Sequence, residues 1–144
     1  MQTKCINNSP VTYVLVFSTG EEVVSRLTEF ATENNLKDCY FTGIGAFQKS
    51  VLGYFDFAIK DYKKIPVEEQ VELLNLNGNI SISDGKPKLH AHVVIGKSDG
   101  TAHGGHLLEG IVKPTLELIL TESPVYLRRK KDKETGLPLL DLDA

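Results

Sequence analysis

The sequence predicts an α+β fold, in which a mostly antiparallel β-sheet carries one main amphipathic helix over about residues 21–34. Most apolar residues fall in short runs rich in β-branched and aromatic side chains, which are typical of strands. The stretch 21–34 instead places Val23, Leu27 and Phe30 at helical spacing. The chain has 144 residues, 41% hydrophobic and 24% charged, a composition that predicts one globular domain over residues 1–144.

About eight strands are expected, and the clearest lie at 11–17, 39–44, 51–59, 71–76, 79–83, 89–95 and 115–122. The segment 61–66 is predicted to be a connection. Asn77-Gly78 is predicted to be a hairpin turn, because Asn-Gly favours two-residue hairpin loops. The helix is expected to take its N-cap from Thr19 or Gly20. Turns are expected at 84–87 and 97–100.

Charge and cysteine usage exclude some classes of protein. The net charge of -3 and the pI of about 5.8 predict little affinity for duplex DNA at physiological salt. Cys5 and Cys39 lack metal-type spacing and are expected to be free, buried thiols. The N-terminus does not resemble a signal peptide, and no apolar run approaches the roughly 20 residues that span a bilayer. We therefore expect a cytoplasmic protein with no membrane partner.

All four histidines lie between residues 90 and 106. His90 and His92 are two apart on a predicted strand, so their rings project from the same face. The following turn supplies a third ring if 98–100 is a three-residue hairpin loop with Gly100 in the left-handed conformation. His92 then faces His106 across the ladder, close enough to share an ion. His103 points to the other face in this register.

Three neutral imidazoles are typical ligands of zinc, with nickel, iron and copper as alternatives. The sequence thus predicts a divalent-metal site formed by His90, His92 and His106. Three protein ligands leave a position open for water or substrate, as in catalytic or sensing sites. Two alternatives stay open: the histidines only line a polar surface, or a bulge at Gly104-Gly105 changes which histidine joins them.

No catalytic residue can be assigned from the sequence. Glu72, Glu109 and Asp99 are candidate acid–base partners of the metal, and nothing in the sequence distinguishes them. Each is equally explained as a solvated surface carboxylate.

Six segments spread over nearly the whole chain form a recognisable series. They are GEEV at 20–23, FTGIGAF at 41–47, LGYFD at 52–56, LNGNIS at 76–81, LHAHVVIGKSDGTAHGGHL at 89–107 and TGLPLL at 135–140. In these segments, which occur in family order, the chain resembles the plants-and-prokaryotes-conserved (PPC) domain, which in plants accompanies AT-hook nuclear proteins.

The resemblance implies a stand-alone, prokaryotic-type PPC protein that assembles as a homotrimer. Prokaryotic members are often called predicted DNA-binding proteins, and they carry His-x-His and Gly-Gly-His-Leu elements, matched here at 90–92 and 104–107. Plant members tend to lack these histidines. The family is structurally similar to acetolactate decarboxylases, which hold a metal with a comparable histidine set, so a metal-dependent lyase or hydrolase is one implied activity. The Arg-Gly-Arg-Pro core of an AT-hook is absent from this sequence.

Three functions follow from these observations. The first is a metal-dependent protein that acts on or senses a small molecule. The second is a DNA-binding or regulatory module that uses the basic run RRKK at 128–131, although such runs are usually solvated segments. The third is an interaction domain that uses the trimer to display partners. The segment Gly43-Ile44-Gly45 fits all three functions and is expected to be a tight turn or bulge.

Overall fold

The computed structural model describes residues 1–123 and 128–143. Within these ranges the chain forms nine strands and one helix. They are β1 (Gln2–Asn8), β2 (Val11–Ser18), α1 (Val23–Glu33), β3 (Cys39–Asp56), β4 (Asp61–Val67), β5 (Val71–Ser83), β6 (Lys86–Gly96), β7 (Ala102–Glu122), β8 (Arg128–Lys131) and β9 (Pro138–Asp141).

All nine strands belong to one sheet. The hydrogen-bonded order is β1-β2-β7-β3-β5-β8-β9, while β4 pairs with β3 and β6 pairs with both β5 and β7. The pairing is antiparallel throughout, apart from one parallel pair between Ile82 and Arg128. The predicted α+β class with a mostly antiparallel sheet is therefore confirmed.

The hydrophobic core lies between α1 and one face of the sheet. The helix buries Val23, Leu27, Phe30 and Ala31, and the strands bury alternate residues as a half-covered sheet requires. The largest fully buried side chains of the sheet are Leu15, Phe17, Phe47, Leu52, Leu73, Leu76, Ile80, Ile95, Leu116, Leu118 and Leu120. Burying each such side chain stabilises the fold by roughly 1.5–3 kcal/mol.

The helix begins later than the sequence predicts. Its N-cap is Glu22, whose carboxylate accepts hydrogen bonds from the backbone N–H groups of Val24 (2.9 Å) and Ser25 (2.7 Å). The expectation of Thr19 or Gly20 was wrong, because Gly20 takes a positive φ of 89° and donates its N–H to the carbonyl of Val112 at 2.9 Å. A long acidic side chain thus does the capping normally done by a short one.

Several strands are longer than predicted. The expected strands 39–44 and 51–59 are one strand, β3, and its ladder with β5 shifts register between Gly43 and Gly45, so the segment is a bulge as expected. The segment 61–66, predicted as a connection, is strand β4, and β1 was not predicted at all. Strand β1 is exposed along its whole length. Its sequence therefore lacks the alternation of apolar and polar residues from which a strand could be predicted.

The predicted hairpin at Asn77-Gly78 was also wrong, because β5 continues through both residues. The glycine serves close packing instead of a turn. A Cβ atom at Gly78 would lie 2.4 Å from the carbonyl oxygen of His90 and 2.4 Å from Cζ of Phe41. The predicted turns are present at 84–85 and 98–100, although the first is shorter than expected because β6 begins at Lys86. Both cysteines are free as predicted, but only Cys39 is buried; Cys5 is exposed on β1.

In the part of the chain that the structure describes, no helix is long and apolar enough to cross a membrane. The sequence also predicts that residues 126–133 are a basic, exposed segment, of which 126 and 127 lie outside the described residues. Residues 128–131 form β8, in which Arg129 is less exposed than its neighbours.

We expect Gly78→Ala to lower the free energy of unfolding by about 1–3 kcal/mol, because the added methyl group overpacks two neighbours, one of them backbone. Urea unfolding measures the change. The matched control is Gly96→Ala, whose Cβ would meet only side-chain atoms of the exposed Leu74, the nearest at 3.2 Å. Equal losses in the two variants would contradict the packing role of Gly78.

Candidate metal centre

The hairpin between β6 and β7 determines which histidines meet. The N–H of Lys97 donates to the carbonyl of Thr101 at 2.9 Å, and Gly100 has a φ of 82°. This is the three-residue loop that the sequence predicts. His92 consequently pairs with His106 and Ile95 pairs with His103, so the predicted register is confirmed.

The two glycines at 104 and 105 do not disturb this ladder. From His92 to Gly96 the pairing with Ala102 to His106 runs without a register shift. A side chain at either position would crowd the neighbouring strands: a Cβ at Gly104 would lie 3.1 Å from the carbonyl oxygen of Val93, and one at Gly105 would lie 2.9 Å from that of Gly53. The glycines thus keep His106 in register by allowing close strand approach.

His90, His92 and His106 converge on one face of the sheet. One ring nitrogen from each can be chosen so that all lie within 4.8 Å of one another. Nε2 of His90 is 3.2 Å from Nε2 of His92. Nitrogens that share a tetrahedral zinc ion are roughly 3.4 Å apart, given Zn–N bonds of about 2.0–2.1 Å. The histidine cluster therefore has donor atoms of the right type and nearly the right spacing for one ion.

The other candidates lie elsewhere. His103 is exposed and faces away from the cluster in the ladder. Asp99 accepts hydrogen bonds from the backbone N–H (2.9 Å) and hydroxyl (2.6 Å) of Thr101 within the turn. Glu72 pairs with Gly96, and Glu109 pairs with Val51. Among the described residues, no carboxylate joins the histidine cluster.

Tyr62, which the sequence did not single out, stacks on the third histidine. Its ring centroid is 4.7 Å from that of His106 at an interplanar angle of 28°, and its hydroxyl is 3.5 Å from Nδ1. Gly53, opposite His106 in the ladder, makes the contact possible, because a Cβ there would lie 2.8 Å from Cδ1 of Tyr62. The sequence did not indicate this contact, because it predicts a connection at 61–66, where the structure has strand β4.

Arg129 flanks the histidine cluster on its other side. Its Nε donates to Oγ of Ser81 (2.5 Å), one Nη to Oδ1 of Asn79 (2.5 Å) and the other Nη to the carbonyl of Pro138 (2.7 Å). Asn79 pairs with His90 across the β5–β6 ladder, which brings the guanidinium beside that ring. This residue of the basic run is therefore anchored on the sheet and is not a solvated charge.

Burial keeps two of the three rings neutral. The pKa of His106 is lowered to about 4, first by burial of the ring and then by the neighbouring His90, His92 and Lys88. The pKa of His90 is lowered by burial first and then by Arg129 and His92. Neutral imidazole is the form that binds metal, so these shifts favour metal binding at neutral pH.

A cavity of about 300 Å³ lies against the histidine cluster. His90 and His106 form part of its wall, with Tyr62 beside them. The remaining lining residues are Lys88 and Arg129, which are cationic, and Val24, Leu89, Leu107, Leu108, Leu137, Pro138 and Leu139, which are apolar.

Comparison with known proteins gives a family match over most of the chain. The family model of the Plants and Prokaryotes Conserved (PCC) domain matches residues 7–124. The chain is also 28% identical over 127 residues to the bifunctional protein GlmU of Synechococcus, a match that covers 86% of this chain and 19% of that protein. The chain thus spans about a fifth of the length of this curated relative.

Three solved structures share the whole fold. A candidate DNA-binding protein from Bacteroides thetaiotaomicron has a TM-score of 0.93 at 30% identity, covering 99% of this chain and 98% of its own. A plant- and prokaryote-conserved protein from Pyrococcus horikoshii has a TM-score of 0.85 at 34% identity, covering 97% of this chain and 94% of its own. A metal-containing protein from Archaeoglobus fulgidus has a TM-score of 0.83 at 33% identity, covering 96% of each chain.

The likeness to acetolactate decarboxylase is one of fold alone. The Bacillus subtilis enzyme has a TM-score of 0.53 at 14% identity, covering 91% of this chain and 60% of that one. At this identity no reaction is transferred.

The lowered pKa of His106 makes the metal-free protein sensitive to mild acid. Its folded pKa of about 4 lies below the unfolded 6.5, so the unfolded state takes up the proton first and stability falls as pH drops below 6.5. We expect the metal-free protein to lose about 1–2 kcal/mol more stability between pH 7.5 and 5 than His106→Gln, allowing for solvent screening.

Urea unfolding in the presence of a chelator at the two pH values measures this difference, and the titration of carboxylates cancels because both proteins share it. An NMR titration of the His106 ring is the direct check. A midpoint near 6.5, or equal losses in the two proteins, would show that burial does not hold this ring neutral.

Proposed function

This chain belongs to the Plants and Prokaryotes Conserved domain family, and from that premise we propose that it is a prokaryotic-type member with a three-histidine zinc site that acts on or senses a small molecule. Residues 1–144 form one domain in this proposal. The observation that carries it is the convergence of His90, His92 and His106 beside a cavity. The ligands are these three side chains, and His103 is not one of them.

The donor set supports zinc or another divalent transition metal. The cluster offers three imidazole nitrogens, two from rings with lowered pKa values. The metal-containing relative from Archaeoglobus fulgidus, at 33% identity over nearly the whole chain, adds support. A zinc ion bound there supplies Lewis acidity, which polarises a carbonyl group or lowers the pKa of bound water.

The residues around the histidine cluster would prepare the site for a ligand. Tyr62 stacks on His106 and holds that ring in place, and its hydroxyl lies near Nδ1. The apolar residues of the cavity wall would lower the local polarity around a bound ligand, which would strengthen its electrostatic contacts with the site. A lyase or hydrolase activity would also need a proton donor or acceptor at the site, and among the described residues no carboxylate joins the histidine cluster.

DNA binding is the second candidate function. It is supported by the candidate DNA-binding relative from Bacteroides thetaiotaomicron and by the exposed Arg128, Lys130 and Lys131 on β8. The net charge of -3 counts against it, and the remaining cation of the run, Arg129, donates its hydrogen bonds to groups on the sheet. Three copies of the run in a trimer would build a local positive surface, but the metal-site proposal rests on more observations.

A homotrimer is part of the proposal. The sheet face opposite α1 exposes large apolar side chains on the adjacent strands β3 and β7: Tyr40 is 61% exposed, Ile44 61% and Ile119 49%. They lie close together because Thr42, between Tyr40 and Ile44, pairs with Ile119. Soluble monomers rarely leave such a patch uncovered, so contact with further copies of the chain is the simplest explanation.

The metal site is tested by the metal content of four single variants. We expect His90→Ala, His92→Ala and His106→Ala each to lose most bound zinc after dialysis, because two imidazoles and water hold zinc far less well than three. His103→Ala should retain it and serves as the matched control. Elemental analysis of the purified proteins at pH 7.5 gives the stoichiometry. Wild-type zinc should fall as pH is lowered towards 4, since protons compete for the ring nitrogens.

Two results would contradict this proposal. Loss of zinc from His103→Ala with retention by His106→Ala would show that a different histidine is the third ligand. Unchanged metal content in all four variants, or no metal in the wild type even after zinc is added, would remove the site and favour the DNA-binding or interaction role.

For the trimer, sedimentation equilibrium at micromolar concentration should give close to three times 15.9 kDa. Ile119→Asp should shift the protein to lighter species, because it places a charge in the centre of the apolar patch, and Ser98→Asp in the exposed hairpin turn is the control. A wild-type monomer would contradict the trimer, and a trimeric Ile119→Asp would place the interface elsewhere.

A further inference from the structure

The cavity beside the histidine cluster has a positive wall with no acidic counterpart. The charged side chains among its described lining residues are Lys88 and Arg129, and no Asp or Glu lines it. This is notable in a chain with 19 acidic and 16 basic residues. An anion entering the cavity would meet two cations and no like charge.

Arg129 is fixed in position, but it has no charge partner among the described residues. Its three hydrogen bonds all go to neutral oxygens, those of Ser81, Asn79 and Pro138. A guanidinium has five N–H groups, so two remain available. No carboxylate among the residues described forms an ion pair with it, whereas Arg26 pairs with Glu21 and Glu29.

This arrangement favours an anionic ligand on physical grounds. A partly buried cation has lost some of its hydration, and an anion that reaches it restores favourable electrostatic interaction. Arginine held rigidly by other hydrogen bonds loses little entropy on binding, and its planar group matches a carboxylate. Lys88, next along the same face of β6 from His90, adds a second, flexible charge.

The rest of the cavity limits the size and character of the ligand. A volume of about 300 Å³ is at the lower end of the range for small-molecule sites, roughly 300–1,000 Å³. Leu89, Leu107 and Leu139 add apolar surface to the same cavity wall as the two cations. A ligand with one charged group and a short apolar part would match both kinds of lining residue.

We propose that this cavity binds a small organic carboxylate, whose carboxylate group contacts Arg129 and Lys88 and whose short apolar part lies against the leucines. A polar group on the far end of the ligand would face His90 and His106. This inference rests on the proposed function for the role of the histidines, but the anion contacts belong to Arg129 and Lys88 and do not require the metal.

The test uses butyrate as probe, titrated into full-length protein in metal-free and zinc-loaded form and followed by NMR chemical shifts. Butyramide, which has the same shape without the charge, and inorganic phosphate, an anion without the apolar part, are the ligand controls. Butyrate should bind both protein forms at least 10-fold more tightly than either control, with shifts in residues that line the cavity.

Three variants locate the charge contacts. Lys88→Gln removes an exposed cation without burying a new group, so the fold should be kept and butyrate affinity should fall about 3- to 10-fold. Arg129→Lys keeps the charge but loses the planar group and should weaken binding by at least as much. Arg128→Gln is the matched control, because it changes the net charge equally at an exposed neighbour outside this cavity and should leave affinity unchanged.

The outcomes separate this inference from the metal site. Butyrate binding that survives in a protein unable to take up zinc supports the carboxylate site while the proposed function fails. Binding only to the zinc-loaded form, unaffected by Lys88→Gln and Arg129→Lys, overturns the inference but leaves the metal site. The inference is also overturned if phosphate or butyramide binds as tightly as butyrate.

Discussion

The register of one hairpin is the constraint on which the candidate site depends. The hydrogen bond between Lys97 and Thr101 closes a loop of three residues and thereby sets every later pair of the β6–β7 ladder. Side chains alternate between the two faces of a strand, so one extra or missing loop residue would move His106 to the opposite face. Gly100, with its φ of 82°, therefore has more influence on the site than many residues that lie closer to it.

The histidine cluster was accessible to sequence reasoning because it is a local arrangement. His90, His92 and His106 span 17 residues, and one hairpin rule connects them. The strand at 11–17 and the helix were predicted for a similar reason, since the strand is a short run of β-branched and aromatic residues and the helix shows its own apolar period. The sequence pattern that predicts such an element lies within a short stretch of consecutive residues.

The residues that surround the cluster could not be found in this way, because long-range packing brings them there. Tyr62 on β4 contacts His106 on β7 across the intervening strand β3, which pairs with both. Arg129 arrives from β8 and resembles its solvated neighbours in sequence. Gly78 carries the strongest short turn signal in the chain, yet the approach of Phe41 and of the His90 carbonyl explains the glycine instead. Local sequence patterns do not predict such long-range contacts.

The attachment of the last two strands couples the cavity to the C-terminal segment. Strands β8 and β9 pair with each other, but β8 joins the sheet through one parallel pair, Ile82 with Arg128, and through the hydrogen bonds of Arg129. The cavity lining includes Leu137, Pro138 and Leu139 from this segment. A ligand that binds in the cavity only while the segment is attached therefore stabilises the attached state. This stabilisation grows with the logarithm of the ligand concentration once that concentration exceeds the dissociation constant. By the same linkage, detachment of the segment would release the molecule.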